Sequence, residues 1–408
     1  MPVRTDQTLA GIVKSGLCSG CGACVPAVGP SVVAMRLNAK GFLRPHAERD
    51  LTDAEQARVR AVCPGLGLSH PVRFEEGTRY EPAWGPVRRV SAGHAVDPDV
   101  RHRGSSGGVL SALLIHLLAS RQVDFVLHVQ VAPGEPLRNE AMISRTRSEV
   151  LDGAGSRYSP ASPVAALPVA LALPGRFAFV GKPCDVAAVR KIISQEPSLA
   201  ERIPILLSFM CAGTPSQHGT SAILKQMQLV SEDVVHFRYR GDGWPGLTQA
   251  RTAAGRTEAM DYNTAWGNIL NRHLQTRCKL CADGTGEFAD VVCADAWYGR
   301  DGYPDFTERD GRSLVVARTV VGERLVAEAQ RASVHLEPFD PGDLRAIQPY
   351  QHRRKSVLLA RMLALRLLGG AVPSYQGLQL GQLAVRTSPV GLAKEFLGAA
   401  RRFLGNRF

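Results

Sequence analysis

The sequence predicts an α/β or α+β fold with a mixed, mostly buried sheet at its centre. The 408 residues are 45% hydrophobic and 21% charged, which is typical of a packed globular chain of two or three domains. Short apolar runs of strand length alternate with longer apolar stretches of helix length. The nine cysteines all lie within the first 300 residues, several of them at close spacing. The fold is therefore expected to carry thiol-bound groups as well as a core.

The individual elements follow from these apolar runs. Strands are predicted at 123–131, 177–180 and 314–321, and helices at 107–120 and 185–194. Residues 71–86 are polar and contain three prolines, so they are predicted to be a linker. The predicted domains are a cysteine-rich segment at 1–70, a core at 87–350 and a helical tail at 351–408.

The sequence predicts a cytoplasmic protein with reduced thiols. No stretch reaches the roughly 18 apolar residues of a spanning helix, and the first residues lack the apolar region of a secretory signal. An odd number of cysteines without an export signal argues against a disulfide framework. Such thiols are free to bind metals or clusters.

The net charge of +12 is concentrated in the tail. Residues 351–408 contain ten Lys or Arg residues and one Glu, so the tail carries +9 and the preceding 350 residues only +3. A nearly neutral body is a poor nucleic-acid surface, and no nucleic-acid partner is predicted. The basic amphipathic pattern at 353–368, repeated at 391–408, fits two alternatives. Either the tail packs its leucines on the body, or it makes a peripheral contact with an acidic partner or with the inner face of an anionic membrane.

The first cysteine motif is the C-x2-C-x2-C run of Cys18, Cys21 and Cys24. Three thiolates this close can hold one face of a [4Fe–4S] cluster, and the small residues between them let backbone N–H groups approach the sulfurs. Cys63, which is followed by Pro64, is the next cysteine and the expected fourth ligand. A structural zinc site is the alternative, although zinc sites usually combine two pairs of ligands.

A second cysteine set is more widely spaced. Cys184 and Cys211 each follow an apolar run, where α/β sheets present functional groups, and Cys278 and Cys281 form a C-x2-C pair. Four soft ligands would suit a second [4Fe–4S] cluster. Alternatively, each cysteine is a small buried hydrophobe, or the C-x2-C pair binds zinc or acts as a dithiol. Cys293 is left over, as a structural thiol or as a replacement ligand.

Three further segments are candidates for flavin contacts. A serine- and glycine-rich turn precedes the predicted helix 107–120, and such a turn can present N–H groups and a positive helix end to a diphosphate. It does not match G-x-G-x-x-G. The other two segments offer cations, hydroxyls and aromatic rings, and surface loops are the alternative for all three. The candidate residues are Ser105, Ser106, Gly107, Gly108, Arg157, Tyr158, Ser159, Arg240 and Trp244.

Taken in order, these motifs resemble the family of coenzyme F420 hydrogenase and dehydrogenase beta subunits. The resemblance covers about residues 10–300 and includes Gly181-Lys182-Pro183-Cys184, Ala289-Asp290 and Asp295-Ala296-Trp297. Relatives in this family include 7-hydroxymethyl chlorophyll a reductase and a ferredoxin-dependent divinyl chlorophyllide reductase. The resemblance implies a flavin-binding core with FAD beside a [4Fe–4S] cluster, preceded by a ferredoxin-like iron–sulfur segment.

The resemblance also implies roles for individual residues. The second cysteine set becomes the cluster near the flavin, and Lys182 joins the serine–glycine turn and the Arg157–Ser159 segment as a flavin contact. Separately from the resemblance, the predicted mechanism places Lys182 at the flavin phosphate or N1 region and expects Asp185 or Asp295 to supply a proton. The chain departs from the family pattern at Cys293 and after Cys281. Because of these departures, the resemblance does not define the substrate pocket.

The predicted function is an oxidoreductase that converts between one-electron and two-electron transfer, because a flavin can do both. The expected path runs from ferredoxin or a similar carrier through the first and second clusters to FAD and a small-molecule substrate, in either direction. One alternative is an electron-transfer subunit without its own substrate, and another is a zinc-bound structural or nucleic-acid module. The substrate is open between F420, a chlorophyll precursor and a polysaccharide intermediate, and a homo-oligomer is compatible with the sequence.

Overall fold

In a computed structural model, which describes residues 6–71, 73–300 and 303–405, an eight-stranded sheet forms the centre of the protein. The four central strands are parallel to one another, and the strands outside them pair antiparallel. This confirms the predicted mixed sheet. Across the sheet, the strands are Val334–Pro338, Arg89–Ala95, Ser313–Ala317, Val291–Asp295, Ile205–Phe209, Phe177–Gly181, Phe125–Ala132 and Glu135–Ser144.

The central strands are apolar because helices and loops cover both faces of the sheet. Phe177–Gly181 is buried at every position, and Ile205–Phe209 is buried at all but its last residue. A parallel sheet covered on both faces requires such continuous apolar strands. The helices Val109–Ala119, Pro183–Gln195 and Val320–Ala329 accompany this sheet.

Most of the predicted elements agree with the structure within a few residues, with one exception. The predicted strand 314–321 ends at Ala317, and Val320 already belongs to the helix Val320–Ala329. Thr319 explains the difference, because its side chain accepts a hydrogen bond from the Gly322 N–H and caps this helix. The prediction was wrong here because Val320 and Val321 continue the apolar run into a helix.

The N-terminal segment consists of short elements around the first cysteine motif. The hairpin strands Val33–Leu37 and Leu43–Ala47 pair antiparallel, and a third strand, Gly67–Ser69, pairs in parallel with Ser374–Gln376 of the tail. The N-terminal segment and the tail therefore share one small sheet. The helices of the segment are Leu9–Lys14, Cys24–Val28 and Asp53–Val62.

The segment predicted as a linker is partly buried. Arg79–Glu81 and Gly85–Val87 form an antiparallel pair, and Trp84 between them lies in the core. The buried guanidinium of Arg318 donates hydrogen bonds of 2.8 and 2.6 Å to the carbonyls of Trp84 and Pro86. Contacts with the body therefore fix this stretch.

The tail forms helices that pack on the rest of the chain. Leu358 and Leu365 are buried against the rest of the chain, as the first alternative predicts, whereas Leu363 and Leu367 are exposed. A contact of the tail with a membrane or an acidic partner stays a prediction. No helix in the described part of the chain is long and apolar enough to cross a membrane. The tail helices are Pro349–Ser356, Leu358–Leu367, Leu380–Val385 and Pro389–Leu404.

Short elements complete the fold. A three-stranded sheet contains Val234–Arg238, Thr248–Thr252 and Thr257–Met260, and Tyr298–Arg300 pairs with Tyr303–Asp305. A π-helix, Asn263–Ile269, precedes the second half of the second cysteine set. The remaining α-helices are Pro98–Arg103, Arg147–Asp152, Leu167–Ala172, Leu199–Arg202, Gln217–Gln226, Thr276–Lys279 and Leu344–Ile347. The 3₁₀ turns are Pro163–Ala166, Ser231–Asp233, Leu270–His273 and Pro341–Asp343.

Candidate functional site

A cavity of about 750 Å³ lies at the carboxyl ends of three central strands, Phe177–Gly181, Ile205–Phe209 and Val291–Asp295. Open α/β sheets bind ligands at this edge, and the volume is in the range of cofactor sites, about 300–1,000 Å³. The cavity is the candidate site because most of the residues predicted from the sequence converge on it. Those that line it are Ser105, Ser106, Gly108, Arg157, Tyr158, Ser159, Lys182, Asp185, Cys211, Arg240 and Asp295.

Two of the predicted flavin contacts lie outside the cavity wall. The Gly107 N–H donates a 2.9 Å hydrogen bond to the Ser313 hydroxyl, so this glycine packs against the sheet. The Trp244 indole stacks on Trp297, with ring centroids 4.7 Å apart. Trp297, and not Trp244, therefore supplies the aromatic wall.

The serine–glycine turn brings backbone close to the cavity. Gly108 has φ +72°, and a Cβ at this position would lie 2.4 Å from the Val100 carbonyl oxygen, so glycine is required. It precedes the helix Val109–Ala119, which has no side-chain cap. The first N–H groups of a helix need partners from outside it. The turn therefore presents donors at the cavity wall.

Arg240 and Asp295 form a buried ion pair at the cavity wall. Arg240 donates to both Asp295 carboxylate oxygens, at 2.9 and 3.0 Å, and also to the Ser105 carbonyl at 2.5 Å. The Trp244 indole N–H donates to Asp295 at 2.7 Å. Burial lowers the pKa of Arg240, but the neighbouring Asp295 outweighs burial and raises it well above its usual value. The pair thus fixes the serine–glycine turn and the aromatic wall together.

Lys182 and Asp185 form a second pair. Lys182 Nζ donates to Asp185 Oδ2 at 2.6 Å and to the Ala161 carbonyl at 3.2 Å. Burial raises the pKa of Asp185, although Lys182 opposes that change. The pair flanks Cys184 in sequence and lines the cavity, which places a proton-bearing group beside the second cysteine set.

Two cations at the cavity bond neutral acceptors. Arg157 donates to the Asn139 side chain at 2.8 Å and to backbone carbonyls, and burial lowers its pKa. Arg354, from the tail, donates to the carbonyls of Cys211 and Cys278 at 2.9 and 3.0 Å. Cations bonded in this way keep charge available for an anionic group of a ligand.

The four cysteines of the first set lie close together. Burial raises the pKa of Cys24 well above its usual value, and the neighbouring Cys21, Cys18 and Cys63 thiols raise it further, so the four thiols lie within electrostatic reach of one another. Backbone N–H groups of Gly20 and Ala23, and of Gly65 and Leu66 beside Cys63, bond the sulfurs. Buried thiols with N–H donors are the chemistry that a bound cluster needs.

The second cysteine set is assembled from three distant segments. Cys184 begins the helix Pro183–Gln195, and Cys211 follows the strand Ile205–Phe209. The Cys278 sulfur accepts hydrogen bonds from the Thr214 N–H at 3.3 Å and from the Gln275 side chain at 3.4 Å. Burial raises the pKa of Cys211 to about 12, and the Cys278 and Cys281 thiols add to this.

The two cysteine sets lie side by side. Burial and Asp185 raise the pKa of Cys184, and Lys182 lowers it. The Cys21 thiol of the first set also raises this pKa, so the two sets lie within electrostatic reach of each other. The Gln275 side chain bonds the Ser19 carbonyl at 2.9 Å as well as the Cys278 sulfur. The buried Arg277 donates to the carbonyls of Pro64 and Gly65 at 2.9 and 3.1 Å. The loops of both sets are therefore held together by direct hydrogen bonds.

Neither set has the geometry of a single-ion site. Within the described ranges, no group of three or more His, Cys, Asp or Glu side chains is placed to hold one metal ion. Each set contains four cysteines, which is the number and type of donor that a [4Fe–4S] cluster binds.

Sequence reasoning missed several residues that line the cavity. Tyr262 and Trp266 come from the π-helix Asn263–Ile269 and its first flanking residue, and such helices often occur at functional sites. Trp297 stands in the Asp295-Ala296-Trp297 motif, which could have indicated it. No sequence signal indicated Arg354, because it belongs to a basic tail that fits a solvated helix. Cys293 is buried, lines the cavity, and has a pKa raised by burial to about 12.

The chain is similar to several known proteins along most of its length. It is 25% identical over 300 residues to the coenzyme F420 hydrogenase subunit beta of Methanococcus voltae, covering 71% of this chain and 99% of that protein. It is 26% identical over 340 residues to one subunit of the F(420)H(2) dehydrogenase of Methanosarcina mazei, covering 82% and 88%. It is also 24% identical to 7-hydroxymethyl chlorophyll a reductase of Oryza sativa subsp. japonica, covering 54% of this chain and 45% of that protein.

Structure comparison supports the same fold. One chain of the F420-reducing [NiFe] hydrogenase complex from Methanosarcina barkeri superposes with a TM-score of 0.54 at 18% identity, covering 70% of this chain and 96% of that chain. Two sequence profiles describe the coenzyme F420 hydrogenase/dehydrogenase beta subunit: that of its N-terminal part matches residues 90–167, and that of its C terminus matches residues 175–342. The protein belongs to the family of coenzyme F420 hydrogenase/dehydrogenase beta subunits.

Proposed function

We propose that this protein is an iron–sulfur flavoprotein oxidoreductase. It transfers electrons between a one-electron carrier such as ferredoxin and a two-electron small-molecule substrate, with two [4Fe–4S] clusters and FAD as cofactors. One observation carries the proposal: Cys211 of the second cysteine set lines the 750 Å³ cavity, and that set adjoins the first. The cavity for an organic cofactor would thus adjoin the second cluster site, and the second cluster site would adjoin the first.

The residues present suit these cofactors. The first cluster would be held by Cys18, Cys21, Cys24 and Cys63, and the second by Cys184, Cys211, Cys278 and Cys281. Burial raises the pKa values of most of these thiols, so deprotonation requires the compensating charge that iron supplies. FAD would supply the exchange between single electrons and electron pairs.

The cavity wall contains the groups that a flavin dinucleotide requires. Arg157 and the serine–glycine turn offer a cation and N–H donors to a diphosphate. Tyr262, Trp266 and Trp297 offer apolar ring surface, which excludes water from a bound isoalloxazine. These contacts make the cavity suitable for an anionic, aromatic cofactor.

The Lys182–Asp185 pair and Asp295 are the proposed proton-handling groups. Lys182 Nζ lies 2.6 Å from Asp185 Oδ2, so a proton can be held between these two atoms. Asp295 is occupied by Arg240 and Trp244, which favours a positioning role for it. We therefore assign the proton to the Lys182–Asp185 pair.

A second candidate function is an electron-transfer subunit that passes electrons to a partner protein and has no small-molecule substrate of its own. The names of two relatives describe subunits, which favours this alternative. Reduction of bound flavin by F420H2 or NAD(P)H would support the enzyme. Its failure with these donors, together with reduction by a protein carrier alone, would support the subunit.

The cofactor assignment is tested by the metal and flavin content of protein purified without oxygen. We expect iron and acid-labile sulfide for two clusters, and the 450 nm absorbance of bound flavin. Cys184→Ser should lose about half of the iron, because one of two equal clusters loses a ligand, and should also lose flavin absorbance. Cys293→Ser is the matched control for iron, because Cys293 is not one of the eight proposed ligands, and it should keep the full iron content. Stoichiometric zinc without iron, or a Cys184→Ser protein with unchanged iron and flavin, would contradict the proposal.

A further inference from the structure

We propose that the C-terminal helix Pro389–Leu404 is a docking surface for an anionic lipid bilayer, which it contacts along one face without crossing it. The proposal does not depend on the cofactors. It rests on how the helix distributes its apolar, basic and acidic side chains between the body and solvent.

The outer face of this helix carries an apolar stripe. Val390, Leu397 and Leu404 are 64%, 66% and 70% exposed. They are spaced by seven residues, close to two helical turns, so they form one line along the helix, about 21 Å long. Large apolar side chains aligned in this way on a surface mark an interaction site, whereas isolated ones do not.

Cations border the stripe on the same face. Lys394 and Arg401 each follow a stripe residue by four positions, and both are exposed. The only acidic residue of the tail, Glu395, lies on the inner face, where Arg361 donates to it at 2.6 Å and Arg402 at 3.1 Å. The outer face therefore combines apolar side chains with positive charge that no carboxylate of the tail offsets.

This composition fits a membrane surface better than a folded partner. Protein interfaces are enriched in aromatic residues and depleted of lysine. The aromatic residues of this helix, Phe396 and Phe403, instead pack in the cluster that contains Leu365 and Ala399. Aliphatic side chains flanked by Lys and Arg are the arrangement with which amphipathic helices enter the headgroup region of anionic bilayers.

The neighbouring helix also exposes apolar and basic side chains. Leu363 and Leu367 of Leu358–Leu367 are exposed, as is Arg366 between them, and this helix packs against Pro389–Leu404. The profiles of the family end at residue 342, so this surface lies outside the region that they match. It belongs to the tail, which carries +9 of the net +12.

The test is co-sedimentation of the full-length holoprotein with vesicles. We expect binding to phosphatidylcholine mixed with phosphatidylglycerol, weaker binding at high salt, and none to phosphatidylcholine alone. The triple variant V390S/L397S/L404S should reduce binding about tenfold or more. The K394Q and R401Q variants should each reduce it roughly fivefold at low salt.

The control removes equally exposed valines from the body. Val169 and Val230 are 63% and 59% exposed, and V169S/V230S should bind vesicles like the parent protein. Iron content and melting temperature verify that each variant is folded. If the triple variant does not fold, K394Q and R401Q decide the outcome alone.

Any one of four results would overturn the proposal. The parent protein could fail to sediment with anionic vesicles, or the body variant could lose as much binding as the triple variant. Light scattering could instead show that the parent protein is a dimer and the triple variant a monomer. Alternatively, vesicle binding could be absent, and an acidic ferredoxin could bind the parent protein but not the triple variant. Those last results would assign the face to a second copy or to a protein carrier.

Discussion

Glu287 is the group whose loss should destabilise the protein most clearly. Its carboxylate is fully buried and accepts hydrogen bonds from Lys355 at 2.5 Å, from Tyr80 at 2.7 Å and from His70 at 2.9 Å. Burial alone would raise the pKa of Glu287, but Lys355 and His70 outweigh burial and lower it to about 2. Relative to an ordinary value of 4.5, this corresponds to about 3 kcal/mol of unfolding free energy.

We therefore expect Glu287→Gln to lower the free energy of unfolding by about 3 kcal/mol at pH 7, because Lys355 is left as a buried cation without its anion. The stabilisation should be complete above pH 4.5 and should be lost as the pH falls through about 2, where the native carboxylate is protonated. Parent and variant should thus converge in acid. Urea unfolding at several pH values measures this difference.

A matched control and a double variant test the reasoning. Glu48 bonds Arg36 at 2.6 Å, but both side chains are about half exposed, so Glu48→Gln should change the unfolding free energy by less than about 1 kcal/mol. Combining Glu287→Gln with Lys355→Met should recover part of the loss, since the unpaired cation is then absent. A difference below about 1 kcal/mol for Glu287→Gln, or one that persists unchanged at pH 3, would refute the argument.

Three further outcomes are expected. Gly108→Ala should lower the melting temperature, because it costs about 1–2 kcal/mol for the positive φ and its Cβ would meet the Val100 carbonyl; an unchanged melting curve would contradict this. Arg354→Met should lower the iron content, because the loops that contain Cys211 and Cys278 lose a hydrogen-bond donor. The neighbouring Arg353→Met should not lower it, and equal iron contents in the two variants would exclude a role of Arg354 in holding these loops. Asp295→Asn should weaken flavin retention, checked by 450 nm absorbance after gel filtration, and full retention would speak against the wall described above.

The fold was predictable where local pattern determines structure. Apolar runs identified the strands Phe125–Ala132 and Phe177–Gly181, and burial on both faces leaves no polar alternation in Phe177–Gly181. The same rule failed at Val320, where a threonine cap starts a helix inside an apolar run. Strand order and the antiparallel outer pairs depend on contacts distant in sequence, which periodicity does not contain.

The candidate site shows a similar division. Three members of the first cysteine set lie within seven residues, so spacing alone indicated a cluster. The second set comes from segments up to 97 residues apart. Its grouping depended on the positions of Cys184 and Cys211 after apolar runs and on the C-x2-C pair, and the resemblance to a family implied the same four ligands. Trp244 was assigned to the cavity wall because it stands near Arg240 in sequence, yet it stacks behind Trp297. Sequence proximity therefore placed Trp244 in the region of the cavity, one layer behind the ring that lines it.

The N-terminal cysteine segment depends on the body for its environment. Cys21 and Ala23 pack in the same buried cluster as Phe179 of the central sheet, and the buried Arg277 holds the loop after Cys63. Since burial and hydrogen bonding to sulfur set the potential of a cluster, the proposed first cluster would take its potential partly from the body. In the proposed function, residues 1–70 would therefore form one wall of a continuous electron path and would not be an independent carrier attached to an enzyme.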